Sequence, residues 1–580
     1  MEHQARIHRN IPDGYGRNLY LDDPDFARLL RLYLDPALLD RLETQFIRMG
    51  QLAGGPLESL ALDADKNPPK LHLRARNGAD DERIEKHPSY VALERTVYSD
   101  FGLAAMSHRG GVFGEAEKLP PLVKYGLSYL FVQAEFGLCC PLSMTDALTR
   151  TLTRFGDKAV VARYFEQLTS QDFDELFQGA MFITEQDAGS DVGAITTTAR
   201  FEDGDWRLYG DKWFCSNPDA GLAMVLARPE GGEAGTKGLS LFLLPRHLPD
   251  GRRNAYRILR LKEKLGTRSM PSGEILLEGA VAYLVGEPAS GFKQMTDMIN
   301  MSRLSNGMRA AGLMRRAVNE ALFIARHRTA FGARLCDLPL MQRQLVKMLA
   351  AAEQGRTMVF HTADVLLRAD AGELEAQKLM RILTPLIKFR TCRDARKVAG
   401  DGMEVRGGCG YIEEWSDARV LRDAHLGSIW EGTSNIVALD VARAVRREGV
   451  LPVLGAYLHR RLDEAALPAQ WNAVCRPLLD RTLARMEAVA ASRDMESEVR
   501  SAASALYHAT SAVLMAWEAT RISGAGIGGR WDRLALAGLV LRHKLMPRDP
   551  LGEATGSRAI EALLLADAPL ARADAEAVLA

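Results

Sequence analysis

Three short segments hold residue types that could do chemistry. Phe182–Val192, FITEQDAGSDV, offers a hydroxyl at Thr184, then Gly189 and Ser190, whose backbone can approach an anion without a side-chain clash. By itself it also reads as a loop of turn residues. Gly210–Asn217, GDKWFCSN, follows a short way along the chain. Arg422–Asn435, RDAHLGSIWEGTSN, sets an aromatic, Trp430, beside an acid, Glu431. In isolation Glu431 reads as a surface acid or a helix N-terminal acid. Gly524–Gly529 matches Gly-x-Gly-x-x-Gly, but it follows the Ala-rich helical stretch Ser501–Thr520. A dinucleotide loop needs a strand before it, so this match reads as a helix–helix turn. No Gly-Lys-Ser/Thr phosphate loop, His-Glu-x-x-His or Gly-x-Ser-x-Gly is present.

The elements that must position these residues fall into a simple order. Residues 1–178 show apolar residues at three- and four-residue spacing, as in Asp25–Leu34 and Pro141–Tyr164, and predict helices. Polar Asp63–Glu85 interrupts them and reads as loop. Residues 180–285 carry short apolar runs split by Gly, Asp and Pro. Leu222–Ala227, Leu239–Pro245 and Glu274–Leu277 read as strands. Thr196–Phe201 and Trp206–Tyr209 flank Asp203-Gly204, a hairpin signal. Helices return at Met301–Arg328, Met341–Leu367, Leu374–Val398 and Ser434–Arg447, and residues 453–580 form an Ala- and Leu-rich helical unit. Strands do not alternate with helices, which disfavours a doubly wound nucleotide-binding fold.

Composition bounds the rest. The chain has 580 residues, with 74 Lys and Arg against 74 Asp and Glu, and is 47% hydrophobic. A largely disordered chain would be poorer in apolar residues, and a protein coating nucleic acid with its whole surface would be basic. The seven cysteines include no Cys-x-x-Cys, so a zinc cluster or disulfide framework is not expected, and a reducing, cytoplasmic setting is. No metal is expected. No apolar run approaches the roughly 20 residues of a membrane span, and the N-terminus lacks a signal peptide's apolar core.

The three segments, with Arg328–Gly332 (RTAFG) and Glu404–Tyr411 (EVRGGCGY), resemble five stretches of the acyl-CoA dehydrogenase flavoproteins in the same order. The resemblance covers about residues 90–448. Arg260–Ser269, Ser428–Asp440 and the long C-terminal extension are most similar to the AidB-like subgroup. This implies a mainly α protein with a central β domain. The expected segments are an N-terminal helical domain (1–178), a barrel-like middle domain (179–288), a helical bundle (289–449) and an extra helical domain (450–580).

The resemblance implies FAD as cofactor and α,β-dehydrogenation of an acyl-CoA thioester. Glu431 would take the α-proton, and the β-hydride would pass to flavin N5. Thr184 would meet the isoalloxazine ring, Ser190 the pyrophosphate, Phe214 the ring face and Ser216 N5. Thr433 and Asn435 would contact FAD just after the base. Arg328 and Phe331 would serve the FAD of a neighbouring subunit, Gln342 its adenosine side, and Gly407 and Gly408 its pyrophosphate. A shared site implies a homo-oligomer, a dimer or tetramer. Arg303 would reach the substrate. Some relatives carry the base just before this arginine; here Asn300, Met301 and Ser302 are not acidic, which favours Glu431. Gln186-Asp187 replaces the family's Pro-Gly, and Phe214 replaces its Trp.

Three functions are consistent with this resemblance: a dehydrogenase feeding an electron-transfer flavoprotein, an acyl-CoA oxidase, and an AidB-like, DNA-associated protein of the alkylation response. DNA binding would need clustered basic residues in the extension. Between residues 451 and 580 the chain has 15 Lys and Arg against 15 Asp and Glu, largely interspersed, and nucleic acid is not the expected partner.

Overall fold

The computed structural model describes residues 11–524, 530–547, 551 and 557–579. Most of the Gly524–Gly529 match lies outside them. The described chain forms two compact units. One holds Leu57–Arg309 and Ser428–Ile436, and the other holds Met1–Pro56, Ala310–Gly427 and Val437–Ala580.

In the first, the barrel unit, two short helices α3 (Pro56–Lys66) and α4 (Pro88–Arg95) flank a hairpin, β1 (Lys70–Arg74) and β2 (Asp80–Glu85). Asp63–Glu85, expected as loop, is thus the end of a helix and a hairpin. Its turn is Asn77-Gly78, with Gly78 at φ 86°, a left-handed position that glycine fills without a Cβ clash. The strands are polar, with every residue exposed or half-exposed, which hid them from an apolar-periodicity reading. Helices α5 (Pro121–Phe131), α6 (Cys139–Phe155) and α7 (Lys158–Leu168) follow. The single helix expected over Pro141–Tyr164 is broken at Gly156, and Asp157 restarts it by accepting from Ala159 N–H at 2.8 Å.

Seven strands come next: β3 (Gly179–Phe182), β4 (Thr198–Glu202), β5 (Asp205–Ser216), β6 (Leu222–Pro229), β7 (Ser240–Pro245), β8 (Tyr256–Leu261) and β9 (Ser272–Val285). Pairing runs β6–β4–β5–β9–β7 and closes through β7–β6, with β3 and β8 added at β6 and β9. Closure removes sheet edges, and the continuous apolar runs of β6 and β7 are buried. The expected hairpin forms β4–β5 around Asp203-Gly204. Helix α8 (Gly291–His327) leaves the barrel and contributes its first half, to Arg309, to this unit.

The helical unit begins with α1 (Pro24–Tyr33) and α2 (Pro36–Ala53). After α8 a two-residue hairpin, β10 (Thr329–Ala330) and β11 (Ala333–Arg334), leads to α9 (Pro339–Asp370), α10 (Leu374–Arg406), α11 (Ser416–Leu426) and α12 (Ser434–Glu448). The extension supplies α13 (Val450–Ala465), α14 (Ala469–Ala491), α15 (Val499–Gly524), α16 (Asp532–Val540), α17 (Ser557–Leu565) and α18 (Arg572–Glu576). It packs on the bundle: α15 lies against α9 as well as α13, α14 and α16. Charges reinforce that packing. Arg356 on α9 bridges Glu353 at 2.7 Å and Asp23, the N-cap of α1, at 2.6 Å. Arg533 on α16 reaches Glu353 at 2.6 Å and also holds Glu518 of α15.

Candidate active site

Glu431 lies in the turn just before α12, within the Ser428–Ile436 segment of the barrel unit, with φ 55°. A non-glycine residue there costs of order 1–3 kcal/mol and persists where its surroundings hold it. The holders are on α8. Ser302 Oγ donates to Glu431 Oε1, Asn306 Nδ2 donates to Oε2, and Arg303 Nε donates to the Glu431 carbonyl at 3.4 Å. The Arg309 guanidinium is 4.0 Å from Oε1. Residues 302, 306 and 309 share one helix face at i, i+4 and i+7. The Glu431 side chain is only 8% exposed and that of Arg309 is 0% exposed.

Two aromatic rings complete this site. Phe136 and Trp430 stack with centroids 5.9 Å apart and planes 17° from parallel. Arg309 lies 4.7 Å from the Trp430 centroid and 5.6 Å from that of Phe136. Neither terminal nitrogen of Arg309 donates to an oxygen or nitrogen; the Glu431 carboxylate and the Cys140 thiol face it. Burial pushes the Cys140 thiol up while Arg309 pulls against that, so it stays a neutral thiol, beside Ser216. Cys140 thereby links the end of β5 to the carboxylate.

The barrel positions the expected flavin residues by a clamp between the two sequence segments. Lys212 and Glu185 form a buried ion pair at 2.7 Å, and Lys212 also donates to the Leu226 carbonyl at 2.9 Å. Burial alone would raise the Glu185 carboxyl. Lys212, Thr197 and the Thr196 N–H outweigh it and bring it down to about 2. Beside this pair, Trp213 N–H donates to the Thr184 carbonyl at 2.8 Å. A bulge between Lys212 and Cys215 then breaks the strand's alternation. Lys212 and Cys215 stay inside, and Phe214 turns out, 58% exposed. Lys262 covers Trp213 at 3.6 Å and Phe214 at 4.6 Å.

The structure therefore brings together Thr184, Phe214, Ser216 and, through Cys140, Glu431. Ser190 is exposed on the following loop, and Thr433 and Asn435 are exposed just past Glu431. Arg328, Phe331, Gln342, Gly407 and Gly408 belong to the helical unit. There Arg328 donates to the Arg406 carbonyl at 3.2 Å, beside Gly407 at φ 77°. Phe331 sits at the tip of the β10–β11 hairpin, 97% exposed and at φ 55°. Gln342, half-buried, lies in the first turn of α9. Arg303 is buried and anchors the Glu431 backbone.

Sequence reading missed Ser302, Asn306, Arg309, Phe136, Cys140, Lys262 and the Glu185–Lys212 pair. The first three share a visible helical spacing, but nothing in the sequence names the partner they face.

These residues fit a flavin. A Cβ on Gly189 or Gly408 would meet nothing within 4 Å, so close packing of the chain does not demand either glycine. Each leaves room for a bound group. Phe214 presents an exposed ring on a rigid strand. Among the described residues, no group of three or more His, Cys, Asp or Glu could hold a metal ion, and no helix is long and apolar enough to cross a membrane.

A closed barrel between helical segments, with a buried carboxylate near a hydroxyl- and aromatic-lined strand end, defines a flavin-dependent oxidoreductase. Residues 180–280 and 289–446 match the middle and C-terminal domains of acyl-CoA dehydrogenases, and residues 11–175 match the N-terminal domain of the adaptive response protein AidB. The AidB protein of Escherichia coli is 35% identical over 417 residues, which span 69% of this chain and 74% of that protein. Acyl-CoA dehydrogenase family member 11 of Caenorhabditis elegans is 30% identical over 458 residues, 77% of this chain and 73% of the relative. A crystal structure of C. elegans ACDH-11 in complex with C11-CoA matches with a TM-score of 0.85 at 25% identity, covering 93% of this chain and 94% of that one. The chain belongs to the acyl-CoA dehydrogenase family and resembles its AidB-like members; it is an oxidoreductase of this class with FAD as cofactor.

Proposed function

We propose that this protein dehydrogenates an acyl-CoA thioester at its α,β bond, with Glu431 as the base. The observation that carries this is a buried carboxylate, on a residue of strained backbone, held by two α8 side chains with a third on its backbone carbonyl, next to the strand end that carries Ser216. Bound FAD supplies the acceptor for the β-hydride. Glu431 takes the α-proton, whose departure leaves electron density on the thioester. Ser302 and Asn306 orient the carboxylate, and Phe136 and Trp430 keep water from it, which matters for a weakly acidic C–H. Thr184, Ser190, Phe214, Ser216, Thr433 and Asn435 would hold the cofactor from the barrel unit.

The exposed Phe331 hairpin, with Arg328, Gln342, Gly407 and Gly408, would serve the FAD of a second subunit, which makes the working form a homo-oligomer. Arg303, besides anchoring Glu431, would face the incoming thioester. The four sequence segments, 1–178, 179–288, 289–449 and 450–580, would be its domains, and an electron-transfer flavoprotein would take the electrons in the cytoplasm. Arginines of the extension pair with its own acids, as in Arg461–Glu464, Arg476–Asp463 and Arg485–Glu498, which supports an enzyme rather than a DNA-binding surface.

The test is anaerobic. A matching acyl-CoA should bleach the yellow protein, and Glu431→Gln should keep FAD and lose bleaching. Unchanged flavin spectra across short, medium, long and branched acyl-CoAs would overturn the reading.

A further inference from the structure

Arg309 is a buried cation whose bonding differs from that of its neighbours. Elsewhere in the barrel unit, buried cations sit directly on carboxylates: Lys124 on Asp146 at 2.6 Å, Arg246 on Glu82 at 2.6 Å and Lys212 on Glu185 at 2.7 Å. The Arg309 guanidinium stands 4.0 Å from Glu431 Oε1, its one ion-pair partner among the described residues. Both Glu431 oxygens go instead to neutral donors, Ser302 Oγ and Asn306 Nδ2.

Arg309 is fixed by its own helix and by two rings. Its Nε donates to the Ser305 carbonyl at 3.4 Å, and its guanidinium lies over Trp430 and Phe136. Ring faces hold a cation without occupying the lone pairs of a carboxylate. The other ionisable groups nearby have their own partners or are neutral. Arg303 donates to the Glu431 carbonyl at 3.4 Å. Glu135 accepts from the Leu138 N–H at 3.1 Å and the Ser269 hydroxyl at 3.0 Å. Burial pushes the Cys139 and Cys140 thiols up, so both stay protonated.

This arrangement suits a carboxylate that must change its charge. A direct Arg–carboxylate bond would occupy oxygens that have to receive a proton, and neutralising the carboxylate would then leave a buried charge unpaired. When the α C–H bond breaks, its proton passes to a Glu431 oxygen and its electron pair spreads onto the thioester. One negative charge leaves Glu431 and one appears on the substrate, while Arg309 keeps its own. A cation anchored on rings is not stranded by that move.

We propose that Arg309 is a positioning residue for the proton transfer, a fixed counter-charge that balances the negative charge first on Glu431 and then on the thioester. This rests on the dehydrogenase reading of the same site and adds to it the group that stabilises the migrating charge.

The experiment uses the FAD-loaded full-length protein and an acyl-CoA with sulfur in place of its β-carbon. Such a thioester can lose its α-proton but has no β-hydride to give. Its enolate produces a long-wavelength absorption beside oxidised flavin, and the pH midpoint of that band is read together with FAD content and calorimetric affinity. Removing a counter-charge a few ångströms away should raise the midpoint by about one to two pH units in Arg309→Met. Arg309→Lys, which keeps a cation, should stay close to the wild type. Arg309→Gln serves as the neutral variant if Arg309→Met fails to fold. A merely structural role would change FAD content or affinity and leave the midpoint in place. An unmoved midpoint in the neutral variant overturns the inference, as does a lysine variant displaced as far as the neutral one. A wild type that gives no band with analogues of any chain length overturns the dehydrogenase reading itself, and this inference with it.

Discussion

Both compact units bury arginines, and the Glu353 cluster of one differs from the Arg309 site of the other. In the helical unit, Arg315, Arg356 and Arg533 converge on Glu353, with Asp23 and Glu518 taking further donors. Tyr33 donates to Glu518 at 2.8 Å, and His361 lies between the Tyr33 and Tyr457 hydroxyls at 3.0 and 2.8 Å. In the barrel unit, Arg309 is as deeply buried, yet its terminal nitrogens bond to no oxygen or nitrogen and its counter-charge stands 4.0 Å away. Burying a charge costs several kcal/mol unless it is paired and hydrogen-bonded. The cluster around Glu353 ties helices together. The Arg309 site leaves two terminal nitrogens beside Glu431 without an oxygen or nitrogen to bond, where a ligand's acceptors could be met.

Mutations should separate the two. Glu353→Gln removes the hub of the paired cluster and should cost about 3–5 kcal/mol, seen as a large drop in the melting temperature, with bleaching per folded molecule unchanged. Arg309→Met should do the reverse: a smaller change in melting temperature, but bleaching slowed on the order of a hundredfold, the scale for losing a buried electrostatic contact at a reacting group. If Arg309→Met unfolds the protein as Glu353→Gln does, the contrast fails.

Acid should attack the units in different windows. Burial, aided by Arg461 and Arg368, pushes the His361 imidazole down from 6.5 to about 3. The unfolded chain then binds a proton that the folded one refuses, so stability present above pH 6.5 is lost as pH falls toward 3. Glu185 is lowered from 4.5 to about 2, so its contribution is kept above pH 4.5 and lost only below it. Hydrogen exchange should show α9 and α13 loosening at a higher pH than β5. Lys262→Ala, the smallest change, removes a cation over two rings worth about 0.5–1 kcal/mol and should weaken FAD retention a few-fold.

Much of the barrel and of the candidate site was legible because it lies in contiguous segments with local turn chemistry. Asp203-Gly204 announced its hairpin, and the acid after Trp430 stood in a recognisable run. What stayed hidden depends on contacts between distant segments. The Phe214 bulge exists only against β9, and Ser302, Asn306 and Arg309 acquire meaning only when a loop more than a hundred residues later folds onto them. The polar β1–β2 hairpin was missed because neither face is buried enough to imprint alternation.

The central claim is that Glu431 is the base. Its most direct test is stopped-flow anaerobic mixing of FAD-loaded wild type and Glu431→Gln with an acyl-CoA that the wild type reduces. The account predicts equal FAD content and acyl-CoA binding, with flavin bleaching lost only in the variant. Bleaching at the wild-type rate in Glu431→Gln would contradict it.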